Sequence, residues 1–168
     1  MRKLKLLQDI PVFGGVREDI LNLLLRLAPV IPIPAGGFFF REDDQARSMF
    51  VLKEGKVAIF KTWKHRSVTL GCLGKGDCFG EMALIDLFPR SASAQAEEDC
   101  LAIELTAATL FEVYNEDMAQ FTLIQMNLAR ELSRRLREAN ERLFRALAEI
   151  DEDGKKPVDI HLGNPPNL

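Results

Sequence analysis

Glu81 and Arg90 stand nine positions apart in the stretch GKGDCFGEMALIDLFPRSASAQA (74–96), with Asp86 the one other charge between them. A carboxylate and a guanidinium held close by one short turn suit a small ligand that carries both a hydroxyl and an anion. The Arg90 fork matches two phosphate oxygens, and Ser91 beside it adds a hydroxyl and an N–H. Gly80 lets the main chain approach a ligand closely, and a helix opening near Met82 presents unpaired N–H groups in its first turn. Glu81 cannot help bind a phosphate, being an anion next to an anion. Its sensible roles are to accept hydrogen bonds from a sugar hydroxyl and to orient Arg90. The ligand so described is a phosphorylated sugar with a free hydroxyl. The plain alternative is an internal Glu81–Arg90 salt bridge in a barrel wall.

The elements that must hold this stretch are short strands. Between residues 29 and 105, apolar runs at 38–40, 49–52, 57–60, 68–73, 92–96 and 101–105 alternate with Gly-rich or charged turn signals. Strands of this length, spaced about ten residues apart, predict a sandwich or barrel rather than a parallel α/β sheet. An extended, proline-punctuated segment around Ile31 and a short one at Cys78–Phe79 bring the expected number to eight, that of a jelly roll. Gly55, just before the clearest strand (56–60), is expected at positive φ.

Helices flank this region. Residues 17–28 place Ile20, Leu23, Leu24 and Leu27 on one face, with Glu18 and Asp19 in the first turn and Pro29 as the stop. Thr106 is placed to cap a helix running to Tyr114, and Asn115 or Asp117 to start another over 118–150. Leu132, Leu136, Ala139, Leu143, Ala146 and Ile150 then form a heptad seam, which predicts a parallel homodimer. The six arginines from Arg130 to Arg145 read as a solvated face balanced by Glu131, Glu138 and Glu141.

The chain has 168 residues, 47% hydrophobic and 28% charged, with net charge −3. That balance gives no general attraction to nucleic acid or anionic lipid. No uncharged run reaches the ~20 residues a spanning helix needs, so a cytoplasmic location without membrane contact is expected. Cys72, Cys78 and Cys100 show no CxxC spacing and read as small buried thiols. His65 falls in a turn and His161 in the tail, which makes a metal enzyme in the barrel or a Ser-His or Cys-His nucleophile a poor reading. No enzyme activity, metal or cofactor is expected. The roughly 18 residues after the long helix are too few for a helix-turn-helix, so no direct DNA contact is expected either.

FGEMALIDLFPRSASAQA resembles the phosphate-binding cassette of the cyclic nucleotide-binding domain family. The similarity runs over roughly residues 5–150, including LQDIPVFGGVREDILNLLLRLA, PAGGFFFREDD and MFVLKEGKVAIFK. The chain is read as one domain, 1–150, with an N-terminal helical segment at 5–28, an eight-stranded jelly-roll barrel at 29–105 and C-terminal helices at 106–150, and the polar stretch 151–168, with Gly154, Gly163 and three prolines, as a flexible tail. By the resemblance Glu81 would hold the ribose 2′-hydroxyl and Arg90 the exocyclic phosphate oxygens. Gly80, Met82, Ala83 and Ser91 would line the cassette, with N–H groups from Gly80, Ala83 and Ser91. Alignment of Arg134-Arg135-Leu136 places Ala139 and Asn140 where the family's catabolite activator has two hydroxyl residues on the base. Ala139 cannot make that bond, which leaves Asn140. Asp43 replaces a usual turn glycine. The implied function is a regulatory module for cyclic AMP, with cyclic GMP second, that shifts its C-terminal helices and signals to an effector protein not named by the sequence. The competing reading is a ligand-independent dimeric adaptor with a degenerate pocket.

Overall fold

The computed structural model describes residues 2–64 and 66–152. Helices α1 (Arg2–Gln8) and α2 (Glu18–Leu27) flank a 3-10 turn at Pro11–Phe13. Eight strands follow among the described residues: β1 (Val30–Ile33), β2 (Phe38–Phe40), β3 (Ser48–Glu54), β4 (Val57–Trp63), β5 (Arg66–Leu73), β6 (Cys78–Phe79), β7 (Ser93–Ala96) and β8 (Cys100–Thr106). A second 3-10 turn, Glu81–Leu84, separates β6 from β7, and α3 (Ala107–Glu116) and α4 (Met118–Glu152) close the order. The strands form two antiparallel sheets, β1-β8-β3-β6 and β2-β7-β4-β5. This is the jelly roll that the turn spacing predicts.

Period-2 alternation in β3 and β8 makes the first sheet two-faced. Met49, Val51, Ile103 and Leu105 join the cluster built by α1, α2, α3 and the start of α4. Phe50, Leu52 and Ala102 turn the other way, into the barrel, with Phe79, Val57 and Ala94. Both faces are thus covered, which is why β3 reads as an uninterrupted apolar run.

Several expectations shift by a turn or a face. The N-terminal helical segment begins at Arg2, not at residue 5. In α2 the buried residues are Ile20, Leu21 and Leu24, while Leu27 is exposed. The buried face is rotated toward Leu21 because α2 packs against both α1 and α3. Gly55 has φ 99°, and a Cβ there would lie 2.5 Å from Cys100 Sγ. Cys78 and Cys100 are buried, but Cys72 is exposed, because β5 is an edge strand with one neighbour. His65, His161 and residues 153–168 of the expected tail lie outside the described residues.

Both caps are where the side chains predict them. Thr106 Oγ1 accepts from Thr109 N–H at 3.1 Å. Asp117 Oδ1 accepts from the N–H groups of Ala119 and Gln120 at 3.0 and 3.1 Å. The chain divides into two compact units, Met1–Glu131 and Leu132–Leu168. In the first, Ile124 and Leu128 of α4 are fully buried, and Asn127 Nδ2 donates to the carbonyls of Val12 and Gly14. Glu131 is buried, so it does not belong to the expected solvated face. In the second unit, Leu136, Leu143 and Phe144 are exposed, and Arg134–Glu138 and Arg145–Glu141 pair along the helix.

Candidate functional site

Arg90 lies where the segment after the 3-10 turn returns to β7, and its main chain is fixed first. Its N–H donates to Asp44 O and its carbonyl accepts from Asp43 N–H, both at 2.9 Å. Asp43 makes this exchange from φ 68°, a left-handed conformation that aspartate tolerates better than most residues. Asp43 thus adopts the left-handed conformation that a turn glycine would supply.

Arg90 is 6% exposed and Glu81 3%, unusual values for charged residues. Nη1 donates to the carbonyl of Gly80 at 2.9 Å and Nη2 to that of Ser48 at 2.7 Å. The guanidinium lies 4.0 Å above the Phe40 ring, with Phe50 at 5.8 Å. Two carbonyls and an aromatic face fix both the position and the plane of the fork. Nε is buried and has no hydrogen-bond partner among the described residues. A buried donor left unmade costs roughly 1–3 kcal/mol, so this atom marks a place for an acceptor. Burial pushes the guanidinium pKa down, and the carboxylates of Asp44, Glu104 and Glu81 pull it back up. It remains a cation at neutral pH.

Gly80 is the hinge of the arrangement. It caps the 3-10 turn at φ 77°, and a Cβ on it would stand 2.6 Å from Arg90 Nη1. A side chain here would occupy the place of the guanidinium. The expected helix near Met82 is a 3-10 turn of four residues, Glu81–Leu84, too short for aligned peptide dipoles to build a strong anion site. Met82 is half-exposed, and the Ser91 hydroxyl lies 3.9 Å from its sulfur. Beyond the turn Ile85, Leu87 and Phe88 are exposed, Leu87 most of all and at φ 58°.

The structure therefore gathers Gly80, Glu81, Met82, Arg90 and Ser91 in one region, with the main chain at Ala83 inside the same turn. Asn140 belongs to the second unit, on α4, and is exposed there. Ser48, Phe40 and Glu104 were not singled out from the sequence. Ser48 acts through its carbonyl, which no side-chain motif reports. The one available signal for Phe40 was the FFF run, whose third ring comes to lie under Arg90.

A family model described as "Cyclic nucleotide-binding domain" matches residues 30–117. The "Cyclic AMP receptor protein" of Thermus thermophilus is 35% identical over 135 residues, 77% of this chain and 59% of that protein. Human "cGMP-dependent protein kinase 2" is 29% identical over 76% of this chain and 16% of its own. Among solved structures, the Thermus thermophilus catabolite activator protein superposes with TM-score 0.70 at 34% identity, over 79% of this chain and 61% of that one. A cyclic nucleotide-binding domain from Methylobacillus flagellatus, at 23% identity and TM-score 0.77 over 86% of this chain and 82% of that one, shares the fold. The chain spans about three fifths of the length of two bacterial relatives it matches, 59% and 58%. On the strength of a family match over more than half its length, the chain belongs to the cyclic nucleotide-binding domain family.

Proposed function

We propose that the chain is a sensor module that binds a cyclic nucleotide, cyclic AMP ahead of cyclic GMP. The observation that carries this reading is the buried Arg90 guanidinium, held by the Gly80 and Ser48 carbonyls with Nε–H unpaired, together with a buried Glu81 that attracts its charge. Nε–H and the second hydrogen of Nη2 form a side-on fork for two exocyclic phosphate oxygens. Glu81 accepts the ribose hydroxyl, Ser91 adds a donor, and Gly80, Met82 and Ala83 line the turn around the ligand. Asn140 is assigned to the base. The preference for cyclic AMP is supported by the 35% identity to the Thermus thermophilus cyclic AMP receptor protein.

Binding is proposed to alter the C-terminal helices and so to signal to an effector protein, with two copies joined along the heptad seam of α4. A ligand achieves this only through different affinity for the two arrangements. The module itself is assigned no catalysis.

Calorimetric titration of the wild type and of Arg90→Ala with both nucleotides tests the assignment. Loss of a buried phosphate contact of this kind costs about 3–5 kcal/mol, or roughly two to three and a half decades in affinity. Near-unchanged binding by the variant, or no binding by the wild type, overturns the reading.

A further inference from the structure

We infer that Glu104, acting through Ser48, is a positioning residue for the Arg90 fork; this rests on the cyclic nucleotide reading above. Glu104 lies across from Phe50 in the β3–β8 register, and Phe50 belongs to the barrel cluster. The half-buried Glu104 side chain therefore leaves its strand on the barrel face. There the Ser48 hydroxyl donates to Glu104 Oε1 at 2.7 Å, and the Ser48 carbonyl accepts from Arg90 Nη2, also at 2.7 Å. Carboxylate, serine and guanidinium make one chain of contacts across β8, β3 and the segment before β7.

Ser48 needs such a tie because it is the first residue of β3, paired with Thr106 at the last position of β8. Strand ends are where ladders open first. Glu104 and Ser48 are diagonal neighbours across the pair, a separation that a glutamate spans. With Ser48 held, its carbonyl fixes Nη2 while the Gly80 carbonyl fixes Nη1, and the direction of Nε–H follows. If Ser48 frays, one of the two carbonyls is lost and the fork swings over the Phe40 ring.

Two carboxylates of the 42–44 turn have other partners of their own. Asp44 Oδ2 accepts from the Arg41 N–H at 2.7 Å, and Glu42 pairs with Lys61. Glu104 also attracts the Arg90 charge directly, so its two effects must be separated. Glu104→Gln does this, since an amide oxygen still accepts from Ser48 but carries no charge.

The test uses the full chain and two readouts. In ligand-free protein the Arg90 Nε–H resonance, assigned by its loss in Arg90→Lys, is expected to be sharp and slowly exchanging. It is expected to broaden or vanish in Glu104→Ala and Ser48→Ala, and to persist in Glu104→Gln. In titrations with cyclic AMP, Glu104→Ala and Ser48→Ala each weaken binding about tenfold, the double variant is no worse than either, and Glu104→Gln stays within about threefold. Additive losses, a Gln variant as impaired as the Ala variant, or an unchanged Nε–H signal in both alanine variants overturns the inference. Thermal melting of each variant separates these effects from general unfolding. If wild type binds neither nucleotide, the functional reading fails, and the Nε–H resonance still decides whether Glu104 positions Arg90.

Discussion

A buried guanidinium is costly, and the residues around Arg90 show how that cost is met. Removing such a charge from water carries an effective penalty of several kcal/mol. Each charge-assisted hydrogen bond to a carbonyl returns about 1.5–3 kcal/mol, and a desolvated cation–π contact about 2 kcal/mol. The Gly80 and Ser48 carbonyls and the Phe40 ring supply these terms. Gly80 is the residue that has to stay bare. Gly80→Ala adds left-handed strain of about 1–2 kcal/mol and pushes a methyl toward Nη1, 2.6 Å away. The variant is expected to melt lower and to bind cyclic nucleotide at least tenfold more weakly than wild type. Melting and titration check this together, and wild-type affinity would show that the guanidinium need not sit where it does.

At the scale of elements, the junction between α3 and α4 is a second polar assembly. Asp117 caps α4 through Oδ1 and receives Arg17 Nη1 on Oδ2 at 2.8 Å. Arg17 also pairs with Asp19 in the first turn of α2, so one arginine links two helix starts. The Gln120 N–H first, and Arg17 after it, hold the Asp117 carboxyl below its ordinary value of 3.8. A depressed folded pKa contributes stability that is complete above the unfolded pKa and is lost as pH falls through the folded one. The wild type should therefore lose stability on acidification below about pH 4, and Asp117→Asn should show a shallower acid slope. Melting curves across that window test the sign, and parallel slopes would remove Asp117 from the account. Thr106→Ala, which deletes the cap of α3, should cost about 1 kcal/mol at neutral pH.

At the scale of the whole molecule, the second unit presents Leu136 and Leu143 to solvent at seam positions of the heptad. Exposed leucines at this spacing are what a paired helix covers. The proposed homodimer makes a direct prediction: Leu136→Ser with Leu143→Ser should shift the sedimentation coefficient from dimer to monomer. Because both side chains are exposed in the single chain, their loss should leave the core of the first unit intact. A wild type that sediments as a monomer at tens of micromolar, far above the Kd of a stable interface, removes the seam from the proposal.

What the sequence determined by itself was local. Apolar runs punctuated by turn residues specify eight strands, Thr106 and Asp117 specify two helix starts, and Gly80, Glu81 and Arg90 fall within one loop because their spacing leaves little choice. Those are short-range properties of propensity and chain geometry. The tertiary structure alone decided which atoms hold Arg90. Ser48 lies 42 positions away and acts through its carbonyl, which every residue type carries, so no pattern in the letters announces it. Phe40 meets the fork because two sheets close on each other, and Glu104 reaches Ser48 because β3 and β8 pair in one register. Packing against α1 and α3 turned α2 toward Leu21, and Glu131 is buried, since burial depends on what the neighbouring elements cover. Arg90 could be named from its type and spacing. The direction of its Nε–H, on which the chemistry turns, belongs to contacts made only when distant strands meet.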